Sequence, residues 1–511
     1  MKTLMDLKLP LHTPLFIDGS EGASAGGGTL LRENPARSAE IVTISQEGSV
    51  ADAHAAIAAA RYAFDHNVKG WVTDARQREQ VLRRTALLVR EEAQRLAQMV
   101  SLEVGMPARQ ATPHVLATAD IFDFYAGYAT KLYGEAMSLA NGSFINLLRE
   151  PVGVVGMILP WNFPLTQAAR KIAPALAVGC TAVVKPSGYT SASTYALVQL
   201  LHRAGAPDGV LNLVTGHGGT VGQALVDHPH IDKLSFTGST DNGKRILQRA
   251  TANLKRVSLE LGGKNPCIVF ADADLEAAAQ GTVFGMFRNA GQACGAVSRL
   301  LVQREVRDEF LARVVDVMRR LRVGAPGDSG TDMGPVISRS QEQSILRYIE
   351  EAKQQGFKLL AGGGKLESPE HSGGYFIAPT LFDDVAPESR LAREEVFGPV
   401  LAAMPFGDED EAVRLANDSP FGLTASVWTQ SQARSLRVAR RIQAGTVWLN
   451  DAYTQPVEGI WGGYKQSGLG RELGPYGVED FVEIKQIYID GTGATHKAHY
   501  AQVIAPASKA A

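Results

Sequence analysis

Cysteine is scarce, with only Cys180, Cys267 and Cys294 in 511 residues, far apart and in no zinc-ligand spacing. No metal is expected, and so few thiols suit a reducing, intracellular compartment, which points to a cytoplasmic location. Neither sign of charge dominates: 51 Lys and Arg stand against 53 Asp and Glu, a net charge of -2. Nothing in that balance favours nucleic acid or an anionic membrane as a partner. No apolar stretch reaches the roughly 18 residues of a membrane span. Residues 1–10 carry Lys2, Asp6 and Lys8 and lack the continuous apolar region of a secretory signal. Internal repeats are missing, and the short glycine runs Gly26–Gly28 and Gly362–Gly364 read as surface turns. There is no GxGxxG fingerprint and no Walker loop, so the generic nucleotide motifs contribute nothing.

Glycine, in contrast, is plentiful, with 52 residues. Many tight turns and close backbone approaches suit an α/β fold with ligand-binding loops better than a helical bundle. The length suggests about two to four substructures. Residues 50–64, 74–100 and 117–132 have apolar residues at three and four spacing and are predicted helices, with Asp74 and Gln77 as a capping box on the second. From Val152 the pattern alternates. Strands are predicted over 152–159, 181–185, 210–214 and 233–236, with helices over 165–177, 191–204, 220–226 and 243–250. Repeated strand-helix-strand order implies a parallel, right-handed, doubly wound sheet with ligands beyond the carboxyl ends of its strands. A second alternating block runs from Cys267 to about Ala444, with helices such as 272–279 and 306–321 and strands such as 298–303 and 446–449, and reads as a second α/β domain. The tail from Gly491 to Ala511 has weakly structured composition.

Four segments carry candidate chemistry. Gly291-Gln292-Ala293-Cys294-Gly295 puts a thiol in a glycine-flanked loop where backbone amides can approach an oxyanion. A lone cysteine is ordinarily a small buried hydrophobe, and Cys180 and Cys267, each beside a predicted strand, keep that reading. In Glu260-Leu261-Gly262-Gly263-Lys264 a carboxylate ends an apolar strand, and partial burial would raise its pKa enough for a general base; the alternative is a surface glutamate at a strand end. Pro160-Trp161-Asn162-Phe163-Pro164 follows a predicted strand and offers an uncharged amide donor for an oxyanion, or simply a rigid turn. Phe236-Thr237-Gly238-Ser239-Thr240, with Gly243, runs from a strand into a helix whose free amides suit a phosphate.

Together these segments resemble the aldehyde dehydrogenase superfamily, from about Phe16 to Ile489. Further matches are Lys185-Pro186-Ser187, Glu394-Glu395-Val396-Phe397-Gly398-Pro399, Pro420-Phe421-Gly422-Leu423 and the segment from Gly462 to Glu472. Their order and spacing make the resemblance specific, and the stretch from Trp461 to Gly474 is similar to that of betaine aldehyde dehydrogenases. The resemblance implies an α/β fold of two doubly wound, Rossmann-like parallel-sheet domains with a small β extension. Residues 1–131 and 151–262 would form the nucleotide-binding domain and 263–479 the catalytic domain. Residues 132–150 and 480–498 would form an oligomerisation element, a hairpin plus a returning strand, with 499–511 as a tail. An exposed sheet edge there implies a homodimer or homotetramer.

The same resemblance assigns roles. Cys294 would add to an aldehyde to give a thiohemiacetal whose oxyanion is held by the Asn162 amide and the Cys294 N–H. Hydride loss to NAD or NADP leaves a thioester, which water activated by Glu260 hydrolyses to the carboxylic acid. Lys185 would serve both cofactor and catalysis, holding ribose hydroxyls with Glu395. Trp161 and Ser239 would lie by the adenosine and pyrophosphate and Phe397 by the nicotinamide ribose. Leu159, Pro160, Ser187, Gly188, Phe236, Gly238 and Leu261 complete the cofactor site, with Gly218 and Gly222 serving cofactor or packing. Phe163, Gln167, Arg170, Ala293, Gly295 and Trp461 would line a substrate tunnel.

Two positions depart from common patterns. NAD-preferring relatives often carry a glutamate three residues after the lysine, where it repels a 2′-phosphate; here that residue is Gly188, so use of both NAD and NADP is predicted. Where betaine aldehyde dehydrogenases present a tryptophan beside a quaternary ammonium, this chain has Arg170. A guanidinium there would repel a cation and could pair with a carboxylate, as in succinic semialdehyde dehydrogenases. Arginine at this place also occurs in lactaldehyde- and aromatic-aldehyde-oxidising relatives, so its role stays open. One rival reading is a CoA-acylating enzyme, against which the base Glu260 speaks. A catalytically silent structural protein on the same fold, as in lens crystallins, is the other, against which Cys294, Glu260 and Asn162 together speak.

Overall fold

A computed structural model describes residues 7–495 and 497–504; the part of the expected tail at 505–511 and residues 1–6 lie outside the described residues. Five short apolar strands, Val154–Ile158, Thr181–Lys185, Leu211–Leu213, Lys233–Thr237 and Arg256–Glu260, pair in parallel. Most of their residues are buried on both faces, which is why they read as apolar runs rather than alternating patterns. Across the sheet the order is 256–260, 233–237, 154–158, 181–185, 211–213, and short antiparallel pieces at both edges bring the total to eight strands. The winding direction reverses between Val154–Ile158 and Lys233–Thr237, and a doubly wound sheet opens a crevice at such a point.

A second sheet of seven strands has Pro266–Val269, Arg299–Gln303, Thr380–Asp383, Val400–Phe406, Thr424–Trp428 and Thr446–Leu449 in parallel, with Lys358–Ala361 antiparallel on one edge. A third sheet of three strands joins Glu135–Ser138, Phe144–Pro151 and Val482–Ile489. The expected architecture of two parallel-sheet units with a small β extension is thus present.

The helix predicted over 74–100 is two helices, Ala75–Glu91 and Ala93–Val104. Glu92 leaves helical geometry at φ −95, ψ 14, and its carboxylate pairs with Arg95 and with Arg203 of another helix. Periodicity continues through such a break because both helices bury one face against the same neighbours. Asp74 caps the first by accepting from Arg76 N and Gln77 N at 2.9 and 3.1 Å. The reciprocal half of the capping box is not formed, and Gln77 Oε1 is buried without a protein partner. Glu103 on the second helix is fully buried and accepts from Ala192 N and Ser193 N, both at 2.9 Å. That carboxylate satisfies free amides at the start of Ser191–Arg203 and so fixes the loop 186–190 that follows Lys185.

Candidate active site

The crevice is walled by loops at the carboxyl ends of the first sheet. Leu159 N donates to Lys185 O at 3.0 Å and ties the Leu159-Pro160-Trp161 turn to the next strand. Lys185 is buried, Nζ donates to Pro186 O at 2.8 Å, and burial pulls its pKa down to about 8. Ser187 Oγ accepts from Tyr189 N at 3.3 Å. A Cβ on Gly188 would touch only Leu30, at 4.0 Å, so the space beside Lys185 is open. Gly218 also faces open space, whereas a Cβ on Gly222 would sit 3.5 Å from the Lys185 chain. On the other side of the switch point, Ser239 caps the helix Thr240–Ala250, and Gly238 lies against the Phe236 ring. Thr237 and Thr240 keep buried hydroxyls without a protein partner at this helix start. Leu261 packs on Gly243. Trp161 meets Phe397 edge to face, with centroids 5.3 Å apart. Glu395 accepts from Gly263 N at 3.1 Å, and burial pushes its pKa up to about 7 against the pull of Lys264.

Cys294 sits across this crevice in the loop after the turn Arg288–Gly291. Asn289, Ala290 and Gly291 all have left-handed backbone, with φ of 51, 56 and 72. A Cβ on Gly291 would lie 2.4 Å from the carbonyl oxygen of Gly398, so only glycine fits there. Long-range bonds hold the turn: Gln110 Oε1 accepts from Asn289 N at 2.9 Å, and Gln292 Oε1 accepts from Ile337 N at 2.7 Å. Asn162 Nδ2 donates to Gln292 O at 3.0 Å and Asn289 Nδ2 donates to Asn162 O at 2.9 Å, locking the Asn162 loop to the Cys294 loop. Asn265 Nδ2 donates to Cys294 O at 2.7 Å. The Cys294 thiol is pushed up to about 12, first by burial and then by the carboxylates of Glu395 and Glu260, with Arg170 opposing. The resting thiol is therefore protonated.

Glu260 is 4% exposed, and its Oε2 has no protein partner. Its pKa is raised well above the ordinary carboxylate range, first by burial and then by Glu472, while Lys171, Arg170 and Arg471 pull it back. Glu472 is itself ion-paired with Lys171, both side chains deeply buried. A carboxyl whose proton affinity is raised in this way accepts a proton more readily than an ordinary exposed glutamate does.

Beside Cys294 opens a cavity of about 660 Å³, shared by Phe163, Gln167, Arg170 and Trp461 of the expected tunnel. Ala293 and Gly295 do not line it. Ala293 is 4% exposed and faces a small void next to Glu395 and Phe397, while Gly295 lies beneath Trp461 and Tyr453, where a Cβ would stand 2.8 and 3.0 Å from their rings.

The Aldehyde dehydrogenase family model matches residues 23–487. The chain belongs to the aldehyde dehydrogenase family. It is 43% identical over 477 residues to a betaine aldehyde dehydrogenase of Bacillus subtilis (strain 168), covering 93% of this chain and 96% of that protein. Among solved structures, an NAD-dependent aldehyde dehydrogenase from Sinorhizobium meliloti matches with a TM-score of 0.93 at 40% identity, covering 96% of this chain and 97% of that one. A betaine aldehyde dehydrogenase from Staphylococcus aureus, in complex with NAD+, matches with a TM-score of 0.92 at 38% identity, over 95% and 96% of the two chains. The expected oxidoreductase class and the expected fold are therefore shown.

Sequence reasoning missed several residues of this aldehyde dehydrogenase site. Arg288, His114, Tyr453 and Gln455 line the cavity, and Lys171 and Glu472 stand behind Glu260. Arg288 precedes Cys294 by one turn, just ahead of the glycine-flanked segment that carries the thiol. Tyr453, at positive φ in an irregular stretch, and His114, in the middle of Ala108–Ala129, come from segments without a motif. Only the tertiary fold brings them together.

Proposed function

We propose that this aldehyde dehydrogenase is hydrolytic, with Cys294 as nucleophile, Glu260 as general base and Asn162 as oxyanion donor. The buried, partnerless Oε2 of Glu260 near the thiol carries the reading. NAD(P)+ fits the crevice by this chain's own groups: open space at Gly188 and Gly218, and partnerless hydroxyls of Thr237 and Thr240 at a helix start. Lys185 and Glu395 would hold ribose hydroxyls, and the residues from Leu159 to Trp161, Ser187, Phe236, Gly238, Ser239, Gly222, Leu261 and Phe397 would complete the cradle. When bound, the nicotinamide supplies the hydride acceptor.

The thiol is protonated at rest, so its proton has to leave as Sγ adds to the carbonyl, and Glu260 is the raised carboxyl that takes it. One Asn162 N–H is spent on Gln292 O, and the other is left for the oxyanion. Loss of the aldehyde hydrogen with its electron pair leaves an acyl group on Sγ. Glu260 gives the thiol's proton up to solvent and, a carboxylate again, takes a proton from water, whose oxygen attacks the acyl carbon. The thiolate leaves, the acid departs and Cys294 regains a proton. A cytoplasmic location fits this reading, since the free thiol would stay reduced there. A homodimer or homotetramer would form through Val482–Ile489, which bonds on one edge only and exposes Ile484, Ile487 and Ile489.

Glu260→Gln tests the scheme. It should release at most one equivalent of NADH per subunit, more slowly than the parent because the thiol has also lost its base, and then stall, with the acyl group on Cys294 seen by intact mass. Steady turnover at the parental rate, or acyl-CoA as the product when CoA is added to the parent enzyme, would defeat the reading.

A further inference from the structure

Two guanidiniums enter the substrate cavity, and the catalytic scheme uses neither beyond the pull of Arg170 on Glu260 and Cys294. Arg170 Cζ lies 5.3 Å from the Trp461 ring centroid, and Arg288 Cζ lies 5.1 Å from both Phe163 and Tyr453. Among the described residues neither makes a hydrogen bond or an ion pair, and Arg170 Nε is buried without a partner. Arg90, on the same cavity wall, behaves differently: it bonds Asp120 at 2.7 Å and Asp123 at 2.6 Å. His114, between the two free arginines and Phe163, is neutral, its pKa pulled down to about 3 by burial and then by Arg288 and Arg170. The remaining acid of the cavity wall, Glu458, is exposed.

Stacking on an aromatic ring satisfies the face of a guanidinium and leaves its in-plane N–H donors unspent. Two like charges held near each other in a half-buried cavity are costly unless an anion joins them. The aromatic faces that suit a quaternary ammonium are here already occupied by the chain's own cations. We propose that the substrate is an aldehyde bearing a carboxylate, which Arg170 and Arg288 hold while its carbonyl carbon meets Cys294. This deepens the dehydrogenase reading and rests on it. It also separates this chain from the betaine aldehyde dehydrogenases it resembles.

The test pairs each anionic aldehyde with an uncharged counterpart: succinic semialdehyde with butanal, and 4-carboxybenzaldehyde with benzaldehyde. Betaine aldehyde supplies the cation. The expected result is a kcat/KM at least tenfold higher for the anion in one pair or both, and at least a hundredfold above betaine aldehyde. Arg288→Met and Arg170→Met should each cut the anionic-to-neutral ratio at least tenfold, chiefly through KM, with Arg288→Lys restoring part of it. No preference in either pair, a preference for betaine aldehyde, or ratios untouched by both variants would overturn the proposal. A second readout needs no turnover: alkylation of Cys294 by iodoacetate relative to iodoacetamide, normalised to free cysteine. That ratio should exceed one in the parent and fall in the variants; a ratio below one overturns the anion site. Failure of every aldehyde alongside preferential iodoacetate alkylation would sink the dehydrogenase reading and support the anion site.

Discussion

Trp461 and Glu472 exchange backbone hydrogen bonds, Trp461 N to Glu472 O at 2.6 Å and Glu472 N to Trp461 O at 2.7 Å. One ring wall of the substrate cavity is thereby fastened to the carboxylate that acts on Glu260. Glu472→Gln removes the negative charge that raises Glu260 and leaves the Lys171 cation that lowers it. Both changes favour the carboxylate form of Glu260, so the acidic limb of the kcat profile moves to lower pH. Lys171→Met removes the opposing cation and moves that limb to higher pH. Each variant also strands one member of a buried ion pair, at a cost of about 3–5 kcal/mol, which thermal unfolding reads. Limbs that move in the same direction in both variants would contradict the assignment of Glu260 as the titrating base.

Glu260 should also trade stability for basicity. Its pKa is raised in the folded chain, so its contribution to stability is complete below the unfolded carboxylate pKa and is lost as pH rises through the folded value. Above the folded value the neutral isostere avoids that loss. Glu260→Gln is accordingly expected to unfold at the parental Tm or above it while deacylation fails, and a Tm clearly below the parent would contradict the burial argument.

Asn162→Ala removes both the free N–H offered to the oxyanion and the strut to Gln292 O. A fall in kcat of about 10²–10³ is expected, with aldehyde KM changed far less. Asn162→Asp keeps the size and loses the donor, and comparable activity in that variant would exclude the oxyanion role.

The thiol pKa of about 12 makes a statement about the enzyme without cofactor. Alkylation of Cys294 by iodoacetamide, followed by peptide mass, should climb with every step from pH 7 to 10 and show no plateau, because the thiolate fraction is still rising. A plateau below pH 8 would mean that the resting thiol is already ionised.

Gly188 is predicted to permit both nicotinamides, since the space where a Cβ would stand meets only Leu30. Gly188→Glu places a carboxylate there and should raise the NAD-to-NADP ratio of kcat/KM at least tenfold, about 1.4 kcal/mol in transition-state terms. A parental ratio above about a thousandfold for NAD, roughly 4 kcal/mol, would defeat dual use.

Much of the fold was legible because parallel strands buried on both faces announce themselves as apolar runs. Thr181–Lys185 and Thr446–Leu449 coincide with the elements read from sequence. The break at Glu92 was not legible, because the apolar period runs on across it and the partner of its carboxylate, Arg203, lies far along the chain. The same contrast divides the site. Asn162, Glu260 and Ser239 sit at strand ends, where local sequence dictates a turn and the topology brings the turns together. Glu472 closes the matched segment from Gly462, but its electrostatic role shows only once Glu260 and Lys171 are beside it, and Tyr453 reaches the site from an irregular stretch with no period or spacing to find. Arg288 belongs between these cases: its place near Cys294 is local, but the absence of a carboxylate opposite it exists only in three dimensions.

The three left-handed residues Asn289, Ala290 and Gly291 form a sharp corner with Arg288 on one side and Cys294 on the other. The corner is clamped from outside by Gln110 and Ile337, not by its own preferences. Selectivity and reactivity therefore hang on separate arms of one rigid bracket, so an engineer could exchange the side chain at position 288 to accept a new aldehyde while leaving the sulfur aimed as before.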